Sequence, residues 1–201
     1  MLQVYELYPR TLVKNNKHYR AIIKQWNGKK NLYRTVYHFE KLDFSDITID
    51  QVYLDFDECD KTYPEVLKLC NDLHNDHIQF RVNFSGRGFH VYVGTEHQNI
   101  DRKSYLELLF KHIIDKYSLT SVDPITIGNI KQLRRIENTV NIRNGLYCIP
   151  LKYEELQSLD KIKELAKQPR EFDVCWIEGD KIKLEPINLE THKVDIVSGN
   201  G

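Results

Sequence analysis

The sequence predicts an α+β domain built around a mixed or antiparallel sheet. Three observations predict it. Residues 78–84 and 89–93 alternate apolar and polar side chains across a glycine turn, as paired half-buried strands do. Residues 102–117 carry a helical apolar stripe. Strands and helices then follow one another without the strand–helix–strand rhythm that a parallel sheet demands.

The elements follow in order. Residues 18–26 and 31–37 are predicted as two strands joined by Asn27-Gly28-Lys29-Lys30, a good turn sequence. Residues 51–57 read as a strand. Pro64 is predicted to open a helix ending near residue 75, since proline is tolerated at a first helical position. In 78–84, Ile78, Phe80, Val82 and Phe84 share one face, and Gln79, Arg81 and Asn83 the other. Asp101 is placed to cap a helix over 102–117, with Leu106, Leu109, Phe110, Ile113 and Ile114 as its stripe. Residues 122–151 read as strands and turns, and 152–167 as a helix stopped by Pro169. Residues 173–184 suggest a hairpin around Gly179-Asp180, and the tail from Glu185 has little periodicity. The expected organisation is one domain over 1–201: a basic N-terminal hairpin unit (1–45), a core (46–170), and a C-terminal hairpin and tail (171–201).

Composition narrows the class. Twelve Tyr, eight Phe and two Trp supply a core, which excludes a disordered chain. Four scattered cysteines, at 59, 70, 148 and 175, do not make a disulfide scaffold. No 18-residue apolar run and no secretory leader are visible, so a cytoplasmic protein with no membrane partner is expected. Lys plus Arg equals Asp plus Glu at 29 each, which excludes a uniformly basic nucleic-acid binder. The charges are segregated, however. Residues 11–39 hold Lys14, Lys17, Arg20, Lys24, Lys29, Lys30 and Arg34 and no acid, whereas 40–60 hold eight acids and one base. This pattern is either two solvated faces or a phosphate-binding arm beside a metal centre.

Three constellations carry chemistry. In Val52-Tyr53-Leu54-Asp55-Phe56-Asp57, strand alternation turns Val52, Leu54 and Phe56 to the core and Asp55 and Asp57 together to the other side. Two carboxylates so placed repel unless a cation lies between them. Hard oxygen ligands select Mg²⁺ or Mn²⁺ over Zn²⁺; otherwise the pair is merely solvated. In Phe84-Ser85-Gly86-Arg87-Gly88-Phe89-His90, two glycines flank an arginine between strands, where amides and a hydroxyl can meet an anion, and His90 points away from Phe89 and Val91. The alternative is a tight hairpin with a surface histidine. Asp123 precedes Pro124 and is extended, as a third metal ligand or a turn former. Beyond it, Lys131, Arg134, Arg135 and Arg143 form a cationic run interrupted by one acid, Glu137; guanidinium forks suit phosphate oxygens. The spacing of Cys59, Cys70, His74 and His77 is unlike structural zinc modules.

The order of these motifs resembles the catalytic core of archaeo-eukaryotic primases, most closely the primase-polymerases of archaeal plasmids and viruses. The elements are Asp-x-Asp, then Ser-Gly-x-Gly-x-His, then a hydrophobic-Asp followed by Arg-Ile-x-Asn-Thr-x-Asn-x-Arg-x-Gly, across about residues 50 to 151. The resemblance implies an RNA-recognition-like catalytic sheet with flanking helices, joined to an N-terminal αβ unit. It implies that Asp55, Asp57 and Asp123 hold two Mg²⁺ or Mn²⁺ ions. Ser85, Gly86, Arg87 and His90, with Arg135 and Arg143, would hold the nucleotide. The chain departs from the pattern at Glu137, where many relatives have proline, and lacks the zinc-binding cysteine cluster of replicative small subunits, so no structural zinc is expected.

The expected activity is template-directed nucleotidyl transfer, making primers or extending DNA from nucleoside triphosphates. The expected partners are a single-stranded DNA template, a primer, nucleoside triphosphates, and a helicase or accessory domain. Lys24, Trp26, Lys29, Lys30 and Arg34 are the expected nucleic-acid contacts, through phosphates and base stacking. The alternatives are a catalytically silent nucleic-acid-binding replication module, or another Asp-x-Asp enzyme such as a nuclease or glycosyltransferase.

Overall fold

The computed structural model describes residues 5–7, 11–13, 15–39, 46–96 and 102–184. The Asp101 cap, Lys14 and the tail from Glu185 lie outside these residues. The main sheet contains β4 (Gln51–Phe56), β5 (Phe80–Phe84), β6 (Phe89–Gly94) and β8 (Ile149–Leu151), in the order β4-β6-β5-β8. Its pairings are all antiparallel. The helices are α1 (Asn16–Trp26), α2 (Cys59–Asn75), α3 (Arg102–Tyr117) and α4 (Leu159–Leu165). A second antiparallel sheet has the order β2-β1-β3-β7, from β1 (Tyr5–Leu7), β2 (Thr11–Val13), β3 (Tyr33–Thr35) and β7 (Leu133–Arg135). The α+β expectation holds. No helix among the described residues is long and apolar enough to cross a membrane.

Val52, Leu54 and Phe56 of β4 are fully buried with Val82, Phe84, Phe89 and Val91 of the neighbouring strands. Tyr63 of α2 meets Phe89, with ring centroids 6.1 Å apart. Val66, Leu69 and Leu73 of α2, and Leu106, Leu109, Phe110 and Ile113 of α3, join the same core. Each such side chain removed from water contributes roughly 1.5–3 kcal/mol. The opposite face of the sheet is buried too. Arg81, Asn83, His90 and Tyr92 are each at most 4% exposed, because the second sheet lies over them.

Four expectations need correction. The segment 18–26 is not a strand but most of α1. Asn15 caps that helix, its Oδ1 accepting from the His18 amide at 2.9 Å. Tyr19, Ile22, Ile23 and Trp26 recur at helical spacing and pack on Val13, Leu32 and Ile136. Asn27-Gly28 ends this helix, with Gly28 at φ +80°. Second, α2 begins at Cys59, so Pro64 lies inside it. Cys59 and Thr62 continue the buried face of Val66, Leu69 and Leu73, and the Cys59 amide donates to the Arg87 carbonyl at 2.8 Å. Third, 152–167 is split into a 3₁₀ turn (Tyr153–Gln157) and α4, because Ser158 caps the latter by accepting from the Lys161 amide. Fourth, 173–184 forms no hairpin with itself. Ile177, Asp180 and Ile182 bridge instead to Phe80, Ile78 and Thr95.

Candidate active site

Asp55 is the penultimate residue of β4, and Asp57 lies just beyond the strand end. Asp123 is brought beside them, its amide donating to the Asp55 carbonyl at 2.9 Å. Its carboxylate caps the turn Pro124–Thr126 by accepting from the Ile125 amide at 3.0 Å. The three acids, distant in sequence, thus share one sheet edge. The Asp55 carboxyl is pushed up to about 7, first by burial and then by the like charge of Asp57; Asp123 adds to the repulsion.

The turn at 85–88 sits against this edge. The Ser85 amide donates to the Gly88 carbonyl at 2.8 Å, and the Ser85 hydroxyl accepts from the Gly88 amide at 3.0 Å. Gly88 has no room for a side chain, since a Cβ there would lie 2.0 Å from the Phe56 carbonyl oxygen. Gly86 adopts φ +86°. This packing places Arg87 over the acids, its Nη2 2.5 Å from Asp57 Oδ1. The 141–146 loop closes over the turn, with Asn144 Nδ2 donating to the Gly86 carbonyl at 2.5 Å. That contact carries exposed Arg143 to the same side.

His90 stands directly across from Asp55 on β6, with Nε2 3.8 Å from Asp55 Oδ1. It points away from the α2 and α3 side, as alternation predicts. It is neither a surface residue nor clear of the interior, however, being 4% exposed beneath the second sheet. Burial, then the nearby Arg134, drives its pKa down to about 3, so the imidazole is neutral. Its Nδ1 is buried with no hydrogen-bond partner.

The basic run divides between two environments. Arg135 donates to Asn31 Oδ1 at 2.7 Å and to the Tyr33 hydroxyl at 3.1 Å. Its neighbour Arg134 turns inward to Glu137. Lys24, Lys29 and Lys30 are exposed, and Lys30 Nζ lies 4.3 Å from the Trp26 ring centroid. Arg34 differs from these: strand β3 directs it inward, 3.3 Å from Glu137, and leaves its side chain 13% exposed, where a surface position was expected. Trp26 is half-buried against the small core below α1.

Sequence reasoning missed the cluster centred on Glu137. Its carboxylate receives Arg34, Arg81 (3.2 Å) and Arg134, and Asn83 Nδ2 donates to it at 3.1 Å. Burial alone would raise the Glu137 pKa, but Arg134, Arg34 and Arg81 outweigh it and hold it far below the usual range. The signal was present as a lone acid in a basic run and as Arg81 and Asn83 on the supposed polar face of a strand.

No protein-family model and no curated protein matches the sequence. Solved structures do match in shape. The polymerase domain of Mycobacterium tuberculosis Ligase D, solved in complex with DNA, aligns with a TM-score of 0.52 at 14% identity, over 78% of this chain and 65% of that one. The AEP domain of the cyanophage S-2L primase-polymerase aligns with a TM-score of 0.51 at 14% identity, over 82% of this chain and 89% of that one. The fold is that of the archaeo-eukaryotic primases. The chain spans about two thirds of the mycobacterial domain. The acidic edge, the 85–88 turn and His90 lie side by side on this fold.

The donor set suits a hard divalent cation, since all three acids are oxygen donors and the Asp55 carboxyl is destabilised in its charged form by the other two. No finished metal cage is present among the described residues. Asp57 is instead held by Arg87.

Proposed function

We propose that this chain is a nucleotidyltransferase that joins nucleotides on a single-stranded DNA template, as a primase-polymerase. The observation that carries the reading is the meeting of Asp55, Asp57 and Asp123 at one sheet edge beside the 85–88 turn. The primase fold supports it.

Asp55, Asp57 and Asp123 would hold the divalent cations, Mg²⁺ or Mn²⁺. When bound, such cations neutralise phosphate charge and make a hydroxyl a better nucleophile. Arg87 has two roles in this reading. In the free protein it pairs with Asp57; with substrate it turns to the triphosphate. The Ser85 hydroxyl and the Gly86 backbone line the same cradle. Neutral His90, whose Nε2 faces the Asp55 carboxyl at 3.8 Å, orients a phosphate or sugar oxygen by hydrogen bonding without adding charge. Arg135, held by Asn31 and Tyr33, and exposed Arg143 bring further positive charge to the phosphates. The template backbone runs past Lys24, Lys29 and Lys30, with Trp26 beside it.

The test is incubation with a single-stranded template, Mn²⁺ and labelled ribo- or deoxyribonucleotides, with and without primer. Product longer than the primer, or made without one, supports the reading. Shortening of the strand would identify a nuclease. No product, together with no Mn²⁺ binding by calorimetry, would leave a silent nucleic-acid-binding module.

A further inference from the structure

Asp123 reaches the sheet edge by way of a short connection. Helix α3 ends at Tyr117, and Ser118 turns the chain at φ +55°. Leu119 is buried, its amide donating to the Ile114 carbonyl at 3.0 Å. From Asp123 onward the chain is fixed again, by the bond of its amide to the Asp55 carbonyl and by the turn that its carboxylate caps. Thr120, Ser121 and Val122 span the gap, and none of them belongs to a helix or a strand.

One side chain holds this gap. Glu65 of α2 accepts four hydrogen bonds from it. Its Oε1 receives the amides of Thr120 at 2.5 Å and Ser121 at 3.1 Å. Its Oε2 receives the hydroxyls of the same two residues, at 3.0 Å and 2.5 Å. Burial alone would raise the Glu65 pKa, but the hydrogen bonds from Ser121 and Thr120 outweigh it and hold the carboxyl below its usual value. Glu65 is therefore ionised at neutral pH, and these are charge-assisted bonds.

The place of Glu65 in the chain matters as much as its bonds. Helix α2 starts at Cys59, just after the acidic edge, and its first amide is tied to the 85–88 turn through the Arg87 carbonyl. Glu65 lies about 9 Å further along the helix axis. A helix thus connects Asp57 to the residue that holds the approach to Asp123. That approach is under strain of charge. The like charges of Asp57 and Asp123 act on Asp55, and the repulsion pushes the Asp123 segment off the edge. The bonds from Thr120 and Ser121 to Glu65 oppose it.

We propose that Glu65 is a positioning residue for the cation site: it fixes the Thr120–Ser121 segment and so sets where the Asp123 carboxylate stands relative to Asp55 and Asp57. The inference rests on the reading of these three acids as cation ligands. A loop staple and a positioning residue share the same bonds, and they differ in what their loss does to cation binding.

The experiment measures Mn²⁺ affinity by calorimetry on the full chain, at a temperature where circular dichroism shows each variant folded. Glu65→Ala should bind Mn²⁺ about 10- to 100-fold more weakly, the usual cost of losing a group that orients a metal ligand. Glu65→Gln keeps an acceptor for the two amides and should recover part of that loss. Thr120→Ala with Ser121→Ala removes only the hydroxyl donors. This milder change should weaken Mn²⁺ binding in the parent and add little once Glu65 is Ala. Asp72→Ala removes a carboxylate near the far end of the same helix, where it pairs with Lys68, and should bind Mn²⁺ as the parent does. The proposal is overturned if Glu65→Ala binds Mn²⁺ normally, even with a lowered melting temperature, because the bonds then only staple the loop. It is overturned as well if Asp72→Ala loses as much affinity, since the effect then belongs to the charge of the helix. Failure of the parent itself to bind Mn²⁺ is a separate result: it removes the cation-site reading, and this inference with it.

Discussion

Two charge clusters sit on either side of His90, and they are near mirror images. At the sheet edge, three acids share one close arginine, Arg87. Between the sheets, three arginines share one acid, Glu137. The edge is open: Asp57 and Arg87 have side chains 56% and 49% exposed. The interior is closed, with Glu137 at 3%. Exposure decides what each imbalance does. At the edge, burial of Asp55 and then the like charge of Asp57 raise the Asp55 pKa, a penalty that a cation would relieve. In the interior, strong pairing lowers the Glu137 pKa and ties β3 and β7 to β5. The first cluster costs stability in the metal-free chain, and the second holds the two sheets together.

The largest expected effect lies at the edge. Asp55→Ala with Asp57→Ala should reduce template-dependent synthesis by about 10³-fold or more, the scale on which transition-state charge stabilisation is lost. The melting temperature should not fall, since the change removes a repulsion. A variant that is inactive because it is unfolded would break the comparison.

Glu137→Gln tests the other side. Removing one partner from a buried ion-pair cluster costs about 3–5 kcal/mol, because three guanidinium groups then lack their counter-charge. Urea unfolding measures it. A cost near zero would mean that the interior cluster does not hold the sheets, and the contrast would fail.

Acidity should act on the neighbours Asp55 and His90 with opposite signs. The Asp55 carboxyl is raised from 3.8 to about 7, so between those values the folded chain holds a proton that the unfolded chain has lost. Its contribution favours folding at low pH and is lost as pH rises to 7. Metal-free Asp55→Asn should therefore be more stable than the parent above pH 7, by on the order of 2–4 kcal/mol, and equal to it near pH 4. The His90 imidazole is lowered from 6.5 to about 3. There the unfolded chain binds the extra proton, so stability falls as pH drops from 6.5 toward 3. His90→Asn should flatten that acid slope in thermal melts.

The same contrast explains what was legible in the sequence. Alternation in 78–84 and 89–93, and the stripe of α3, gave the central strands and a long helix correctly, because a single apolar face sets their period. The three acids were also legible, since a chemical motif survives without knowledge of packing. The cluster at Glu137 was not. It forms only when β3, β5 and β7, from three separate stretches of chain, are brought together, and on each strand alone Arg81 or Arg34 looks like a solvated polar position. The α1 error has a local cause. Asn27-Gly28 is as good a helix terminus as a hairpin turn, and the capping Asn15 with the 19, 22, 23, 26 spacing decided between them.

That error also sharpens the smallest prediction. The five residues expected to contact nucleic acid now fall into two sets. Lys24, Lys29 and Lys30 are exposed on α1 and the turn after it, and Lys30 is steadied over Trp26. Arg34 belongs to the interior cluster. A lysine at a single-strand phosphate contributes about 0.7 to the salt slope, so Lys29→Ala with Lys30→Ala should flatten the plot of log affinity against log salt by roughly 1.4 units for single-stranded DNA. Folding should be unaffected, because both side chains are exposed. Arg34→Ala should do the reverse, leaving the salt slope unchanged while lowering stability through Glu137. Equal salt slopes in the lysine variant and the parent would move the template path away from α1, whereas a changed slope in Arg34→Ala would mean that the interior cluster reaches the nucleic acid after all.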